Sequence, residues 1–354
     1  MSLTSIPGAA PVPGAVPRTR PATPVVIAAV VPGPFVDRVR SLLGTGSPGD
    51  AGAEDGDTEN ADLDVVDVLG GQGVPADSSA PVAALVMPAL LRDSPPDAVL
   101  AAVERADWVH FLSTGVDGFP LDRLAGRTVT CGRGANSSAI AELTVGLLLA
   151  AEKRIPQIWE AATIEPFLAE PLGTLVGRTV GLLGFGSIGQ ELGRRLDGFD
   201  TRLLALRRSG RPAEQPAVTV VRTLPELLGA ADHLVVAAPL TPDTDRLLDD
   251  AAFAVTKPGL HLVNVARGRI VDTDALVRAL AAGTVSRASL DVTDPEPLPA
   301  DHPLRHDPRV RILPHVSWSA PGGLNRGFGL FADNLRRWRT GRPLHGVVDV
   351  DAGY

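Results

Sequence analysis

Cysteine is nearly absent: the chain has 354 residues and one thiol, Cys131. A single cysteine forms no internal disulfide, and no Cys/His cluster stands at metal-ligand spacing, so no metal site is expected. Chemistry that needs two thiols is excluded, and Cys131 reads as a small hydrophobe near a strand end. Apolar runs long enough to cross a bilayer are also missing. The N-terminal stretch MSLTSIPGAAPVPGAVPRTRPATP has no basic start followed by an apolar core, which a secretory signal needs. Its repeated prolines deny it an amphipathic helix. Residues 1–22 are therefore expected to be a disordered extension, and the protein to be cytoplasmic. No long basic run offsets the formal net charge of −8, so neither nucleic acid nor a membrane surface is expected as a partner.

What is present fits a globular chain with room for two domains: 44% hydrophobic and 21% charged residues. PVVIAAVV (24–31) is a β-branched apolar run and predicts a buried strand, followed by a short helix over VDRVRSLLG. GTGSPGDAGAEDGDTENAD (44–62) is Gly-rich and acidic, has almost nothing to bury, and predicts a mobile loop. LDVVDVL, AALVM and WVHFLS read as further strands, with a helix over PPDAVLAAVERA. A second series follows the helical stretch ANSSAIAELTVGLLLAAEKR (135–154). Its strands are RTVGLLG (178–184), TRLLAL (201–206), HLVVAA (233–238), LHLVNVA (260–266), RASLDV (287–292) and VRIL (310–313). Alternating strands and helices predict an α/β fold with parallel sheets. FADNLRRWRTG predicts another helix near the C-terminus.

Gly184, Gly186 and Gly189 form G-x-G-x-x-G between an apolar strand and the helix-like SIGQELGRRL. The first glycine permits a tight turn, the second lets the backbone approach a pyrophosphate, and the third lets helix and strand pack closely. Main-chain N–H groups at the helix start, from Ser187 and Ile188 onward, then face the phosphates. About twenty residues on, where a carboxylate would grip a ribose diol, stand Arg207, Arg208 and Ser209. Guanidinium groups fork onto phosphate oxygens, so the pattern favours NADP over NAD.

Three later stretches place reactive residues just past predicted strands: Arg267 in NVARGRIVDTDAL, Glu296 in DVTDPEPLP and His315 in ILPHVSWS. In an open parallel sheet, ligands bind beyond the carboxyl ends of the strands, which brings all three to the edge that carries the glycine loop. A histidine can give or take a proton near neutral pH, and a neighbouring carboxylate favours its charged form. An arginine offers two parallel donors to a carboxylate. Asp272 and Asp274 read as helix-start residues. His110, His233, His261, His302, His306 and His345 lack a comparable setting and read as structural or exposed.

From about residue 107 onward, and more loosely before it, the chain resembles the D-isomer-specific 2-hydroxyacid dehydrogenase family. The likeness rests on WVHFLSTGVDGFP, ANSSAIAELTVGLLLA, GLLGFGSIGQELGRRL, VVAAPLTPDTDRL, NVARGRIVD, LDVTDPEPLP and LPHVSWS in the family's order. It implies two Rossmann/flavodoxin-like domains with parallel sheets and a cleft between them. A substrate domain would take 23–132 and 318–354, and an NAD(P)-binding Rossmann domain 133–317. It implies a homodimer joined through the nucleotide domain.

The resemblance makes Arg267 the substrate-carboxylate binder, His315 the acid/base and Glu296 its partner. It places Asp291 near the nicotinamide amide and Thr241 and Ala266 beside the cofactor, and it gives the substrate carboxylate the main-chain N–H groups of Ser113, Thr114 and Gly115. The expected reaction is NAD(P)H-dependent reduction of a small 2-keto acid, of glyoxylate or hydroxypyruvate type, to the D-2-hydroxy acid. The substrate loop carries no lysine or arginine for a phosphate. Two other readings stay open: a nucleotide-sensing corepressor that binds partner peptides, and a phosphite-type dehydrogenase of the same fold. Trp318 departs from the small residue of many relatives, and is expected to narrow the pocket or stack across the cleft.

Overall fold

The computed structural model describes residues 25–44, 63–75, 80–87 and 95–354. The extension expected over 1–22, and the loop expected over 44–62 beyond Gly44, lie outside the described residues. The chain divides into two compact units. One is Asn136–Ala320; in the other, the described residues up to Ala135 join Pro321–Tyr354.

The discontinuous unit is built on β1 (Val25–Val30), β2 (Leu63–Asp67), β3 (Val82–Val86), β4 (Trp108–Phe111) and β5 (Thr128–Cys131). They form a parallel sheet in the order β2-β1-β3-β4-β5, the flavodoxin-like arrangement. All six residues of β1 are buried, which is why its sequence VVIAAV is apolar throughout rather than alternating. Helices α1 (Gly33–Leu42) and α2 (Asp97–Arg105) cover the sheet together with the long C-terminal helix Gly323–Arg339. That last helix sends Phe328, Phe331, Leu335 and Trp338 into the same core as Ile27, Val36 and Trp108. The Trp108 ring stacks on Phe331, with centroids 5.4 Å apart, and its indole N–H donates to Thr130 Oγ1 (2.9 Å). His110 Nδ1 lies 2.7 Å from the same hydroxyl, and its ring is fully buried. Cys131, the last residue of β5, is buried.

The continuous unit holds β6 (Thr179–Leu183), β7 (Arg202–Leu206), β8 (Val218–Val221), β9 (His233–Val236), β10 (Leu260–Asn264), β11 (Val285–Leu290) and β12 (Val310–Ile312). Its helices are α3 (Ser137–Lys153), α4 (Ile155–Glu160), α5 (Glu165–Ala169), α6 (Ser187–Leu196), α7 (Leu224–Ala230), α8 (Asp250–Ala254), α9 (Thr273–Ala281) and α10 (Pro303–His306). The strand order is β12-β11-β10-β9-β6-β7-β8. Chain direction across the sheet reverses beside β6, the place where doubly wound sheets bind dinucleotides. Register levels the strand ends: Leu183 pairs with Leu206 and Val236, Val236 with Asn264, Asn264 with Leu290, and Leu290 with Ile312.

Two strands were not among those expected. β5 (TVTC) and β8 (VTVV) are four residues each and lie at the sheet edges, where a strand needs little continuous apolar sequence. Asp272 caps α9 by accepting from the Ala275 N–H (2.9 Å), and Asp274 lies in its first turn. No helix of the described residues is long and apolar enough to cross a membrane, and no metal-holding cluster stands among them.

Two histidines at the base of the larger sheet form a buried chain. His233 Nδ1 lies 3.1 Å from His261 Nδ1, and His261 Nε2 lies 3.0 Å from Ser289 Oγ. Glu152 Oε1 approaches His233 Nε2 to 3.1 Å, a contact of distance rather than alignment, since Nε2 has no aligned hydrogen-bond partner. Burial, then His233 and Arg287, lowers the His261 pKa from 6.5 to about 3; burial alone does the same to His110. A histidine with a depressed folded-state pKa stabilises the fold fully above the unfolded value and progressively less as pH falls toward the folded one. Between about pH 6.5 and 3, each should therefore remove about 1.4 kcal/mol of stability per pH unit lowered. Denaturant melts at pH 7 and pH 5 will measure that slope, and His110→Gln should flatten it.

Candidate active site

The glycine loop leaves β6 at its carboxyl end. Gly184 has φ +101°, and a Cβ there would lie 2.7 Å from the Ala237 carbonyl, so both conformation and space require glycine. A Cβ on Gly189 would meet the Gly184 carbonyl oxygen at 2.8 Å, which brings α6 close against the strand. Gly186 instead borders open space and is the N-cap of α6, with no side chain capping the helix. Main-chain N–H groups at Ser187 and Ile188 thus begin a helix whose positive end faces an open backbone surface. This is the cradle a pyrophosphate fits.

The Gly184 N–H donates to the Leu206 carbonyl (2.9 Å), so Arg207 follows at the level of the loop. Residues 207–210 turn tightly, with Gly210 N–H on the Arg207 carbonyl (3.1 Å) and Gly210 at φ +58°. Arg208 and Ser209 are exposed in that turn. On the other side of β6, Thr241 follows β9 in a turn closed by Thr244, whose Oγ1 accepts from the Thr241 N–H (2.8 Å).

Arg267 follows β10. The Asn264 side chain shapes its approach: Nδ2 donates to the Arg267 carbonyl (2.9 Å), and Oδ1 accepts from the N–H of buried Ala266 (3.1 Å). One guanidinium N–H returns to the Ala266 carbonyl (2.8 Å). Gly268 then packs on the segment that carries Glu296, where a Cβ would overlap the Thr293 carbonyl. Thr273 Oγ1 donates to the Asp294 carbonyl (2.8 Å), a second tie to that segment. The Asp294–Pro295 and Glu296–Pro297 peptides are cis. Asn264, Gly268 and Thr273 were not expected at the site. For Gly268 and Thr273 the signal is a main-chain approach from residues distant in sequence, which spacing does not report.

His315 follows β12, and its Nδ1 lies 2.8 Å from Glu296 Oε1, with both side chains partly exposed. With Nδ1–H donating to the carboxylate, Nε2 is the nitrogen left to exchange a proton. His315 has φ +55°, a left-handed backbone that costs about 1–3 kcal/mol unless its surroundings hold it. Asp291, at the end of β11, is buried and accepts N–H groups from Val316 and Ser317. Trp318, expected to narrow the pocket or stack, places its indole N–H on the His315 carbonyl (2.8 Å).

Ser113, Thr114 and Gly115 belong to the other unit, just past β4. Their loop is tied to the end of β5 by the Gly132 N–H on the Ser113 carbonyl (2.8 Å), and the Ser113 hydroxyl donates to the Gly115 carbonyl.

A switch-point cradle and a carboxylate–histidine pair on the same sheet edge define a dinucleotide-dependent oxidoreductase. A sequence profile described as "D-isomer specific 2-hydroxyacid dehydrogenase, NAD binding domain" matches residues 145–317. The chain is 35% identical over 245 residues to the glyoxylate reductase/hydroxypyruvate reductase of Homo sapiens, covering 67% of this chain and 75% of that protein. It is 33% identical over 267 residues to the D-3-phosphoglycerate dehydrogenase of Mycobacterium leprae, covering 72% of this chain and 49% of that one. Among solved structures, an NADPH-dependent glyoxylate/hydroxypyruvate reductase from Sinorhizobium meliloti, in complex with NADP and malonate, is similar with TM-score 0.67 and 27% identity. It covers 93% of this chain and 98% of that one. The chain belongs to the D-isomer specific 2-hydroxyacid dehydrogenase family. It is an oxidoreductase, and either NAD or NADP fits its loop.

The packing of Gly268 on the Glu296 segment yields a test. Gly268→Ala should cost about 1–3 kcal/mol by overpacking and lower turnover by displacing Glu296. Calorimetry and steady-state rates on the one variant will measure both.

Proposed function

We propose that the protein reduces a small 2-keto acid of glyoxylate or hydroxypyruvate type to the D-2-hydroxy acid, with NADPH preferred over NADH. The observation that carries this reading is the 2.8 Å contact between His315 and Glu296 on the edge that also presents Arg267 and the glycine loop. Gly184, Gly186 and Gly189 would hold the pyrophosphate, Arg207, Arg208 and Ser209 the 2′-phosphate, and Thr241 and Ala266 the rest of the dinucleotide. The bound cofactor supplies the hydride. Arg267 forks onto the substrate carboxylate and polarises the keto oxygen. Glu296 fixes the ring of His315 through Nδ1, so that Nε2 gives its proton to the oxygen as negative charge develops there. Ser113, Thr114 and Gly115 are assigned to the substrate carboxylate on the family resemblance.

A homodimer is part of the same reading. Trp159, Ile164, Leu168 and Val176 are exposed on and just after α4 and α5, with Trp159 at 78%. That stretch is not a loose loop. Arg154 pairs with Glu170 (2.8 Å) and lies 5.1 Å over the Phe167 ring, and Lys153 Nζ donates to the Gly173 carbonyl (2.7 Å). An apolar surface held in shape this way is an interface in want of a partner. A second copy of the chain is the partner proposed.

Purified protein with glyoxylate or hydroxypyruvate should consume NADPH faster than NADH. Alanine at either Arg207 or Arg208 should raise the NADPH KM by about 10- to 100-fold, at about 1.5–3 kcal/mol for the charge-assisted bond lost, and leave the NADH KM nearly unchanged. His315→Ala should cost on the order of 10²–10⁴ in kcat. Failure on every 2-keto acid would reject the reductase reading. Light scattering should give a dimer mass for the wild type and a monomer mass for Leu168→Arg combined with Ile164→Arg.

A further inference from the structure

Asp291, expected beside the nicotinamide, also binds the chain itself. Its main-chain carbonyl accepts the His315 N–H (3.0 Å). Its Oδ1 accepts the Val316 N–H (2.8 Å), and the Ser317 N–H reaches both oxygens, Oδ1 at 3.2 Å and Oδ2 at 3.1 Å. Three successive N–H groups of the loop thus converge on one residue, which is 1% exposed. From the other side, the Trp318 indole N–H closes on the His315 carbonyl (2.8 Å), and the Ser319 N–H on the Val316 carbonyl (2.8 Å). Between these two sets of contacts sits the left-handed backbone of His315, at φ +55°.

The chemistry of both residues is specific. A carboxylate offers acceptors at both oxygens, whereas an asparagine would turn an NH2 group toward one of the incoming N–H donors. Charge-assisted bonds of this kind are strong in a buried setting. Trp318 is 44% exposed, so burial alone does not account for its pose; the indole N–H, which only donates, fixes it on the carbonyl.

We infer that Asp291 and Trp318 are positioning residues that clamp the left-handed backbone of His315 and so aim its imidazole at Glu296. The inference rests on the reading of His315 as the acid/base, but its geometry can be measured without turnover. It gives Asp291 a task in the loop in addition to its expected place beside the nicotinamide. It also gives Trp318 a role that a small residue in its place could not fill.

The test uses the full chain with Asp291→Asn and Trp318→Phe, the second keeping an aromatic ring and losing the donor. Three quantities are read: kcat with the KM for the keto acid, the NADPH Kd by fluorescence, and the His315 ring signals by nitrogen NMR without cofactor. Positioning predicts a kcat loss on the order of 10²-fold for Asp291→Asn, a smaller loss for Trp318→Phe, an unchanged NADPH Kd in Trp318→Phe, and shifted His315 signals in both. A weakened NADPH Kd with kcat at saturation unchanged in Asp291→Asn would mean a cofactor contact and overturn the inference. So would Trp318→Phe with kcat and His315 signals both at wild-type values, a result that stands even if Asp291→Asn fails to fold. Full activity in His315→Ala would defeat the acid/base reading instead, and the NMR arm would still report whether the clamp exists.

Discussion

Parallel strands must all end on the same side of their sheet, and that rule places every candidate group in the larger unit. Gly184, Arg207, Thr241, Arg267, Asp291 and His315 each lie one to five residues past the end of a different strand, and the register brings those ends level. None of these residues needs a neighbour in sequence to find its neighbours in space. The histidine–carboxylate pair spans nineteen residues because β11 and β12 lie side by side and deliver their carboxyl ends together.

On that edge the division of labour is sharp. His315 and Glu296 are polar and partly open to solvent, while the residues that hold the site's segments in place are buried or backbone-bound. Asn264 shapes the approach to Arg267, Gly268 lets that turn pack on the Glu296 segment, and Asp291 gathers the loop that carries His315. Each holding contact is between main chain and side chain or between main chains, so the site is stiffened through its backbone.

Much of this was legible in the sequence, because long buried strands betray themselves by apolar runs and helices by their caps. VVIAAV and LHLVN could scarcely be anything else, and Asp272 marked the start of α9. The short edge strands TVTC and VTVV escaped, since four residues with two threonines or one carry little periodic signal. Arg267, Glu296 and His315 could be singled out as residue types past strands. The roles of Gly268 and Thr273 could not, because they depend on a backbone approach from residues more than twenty positions away. Trp318 stood out as an unusual residue; where its N–H points is a property of the fold alone.

The smaller unit is assembled from both flanks of the larger one, and this sets a timetable for synthesis. Its core takes Phe328, Phe331, Leu335 and Trp338 from the last long helix, whose side chains emerge only after Asn136–Ala320 has been made. At about 5–20 residues per second, strands β1 to β5 wait on the order of ten seconds or more for their cover. During that interval the face of Ile27, Leu85 and Trp108 that this helix will bury is open to water. The last cover of that face therefore comes only with the end of synthesis, while the larger unit can close on its own residues as soon as they are out.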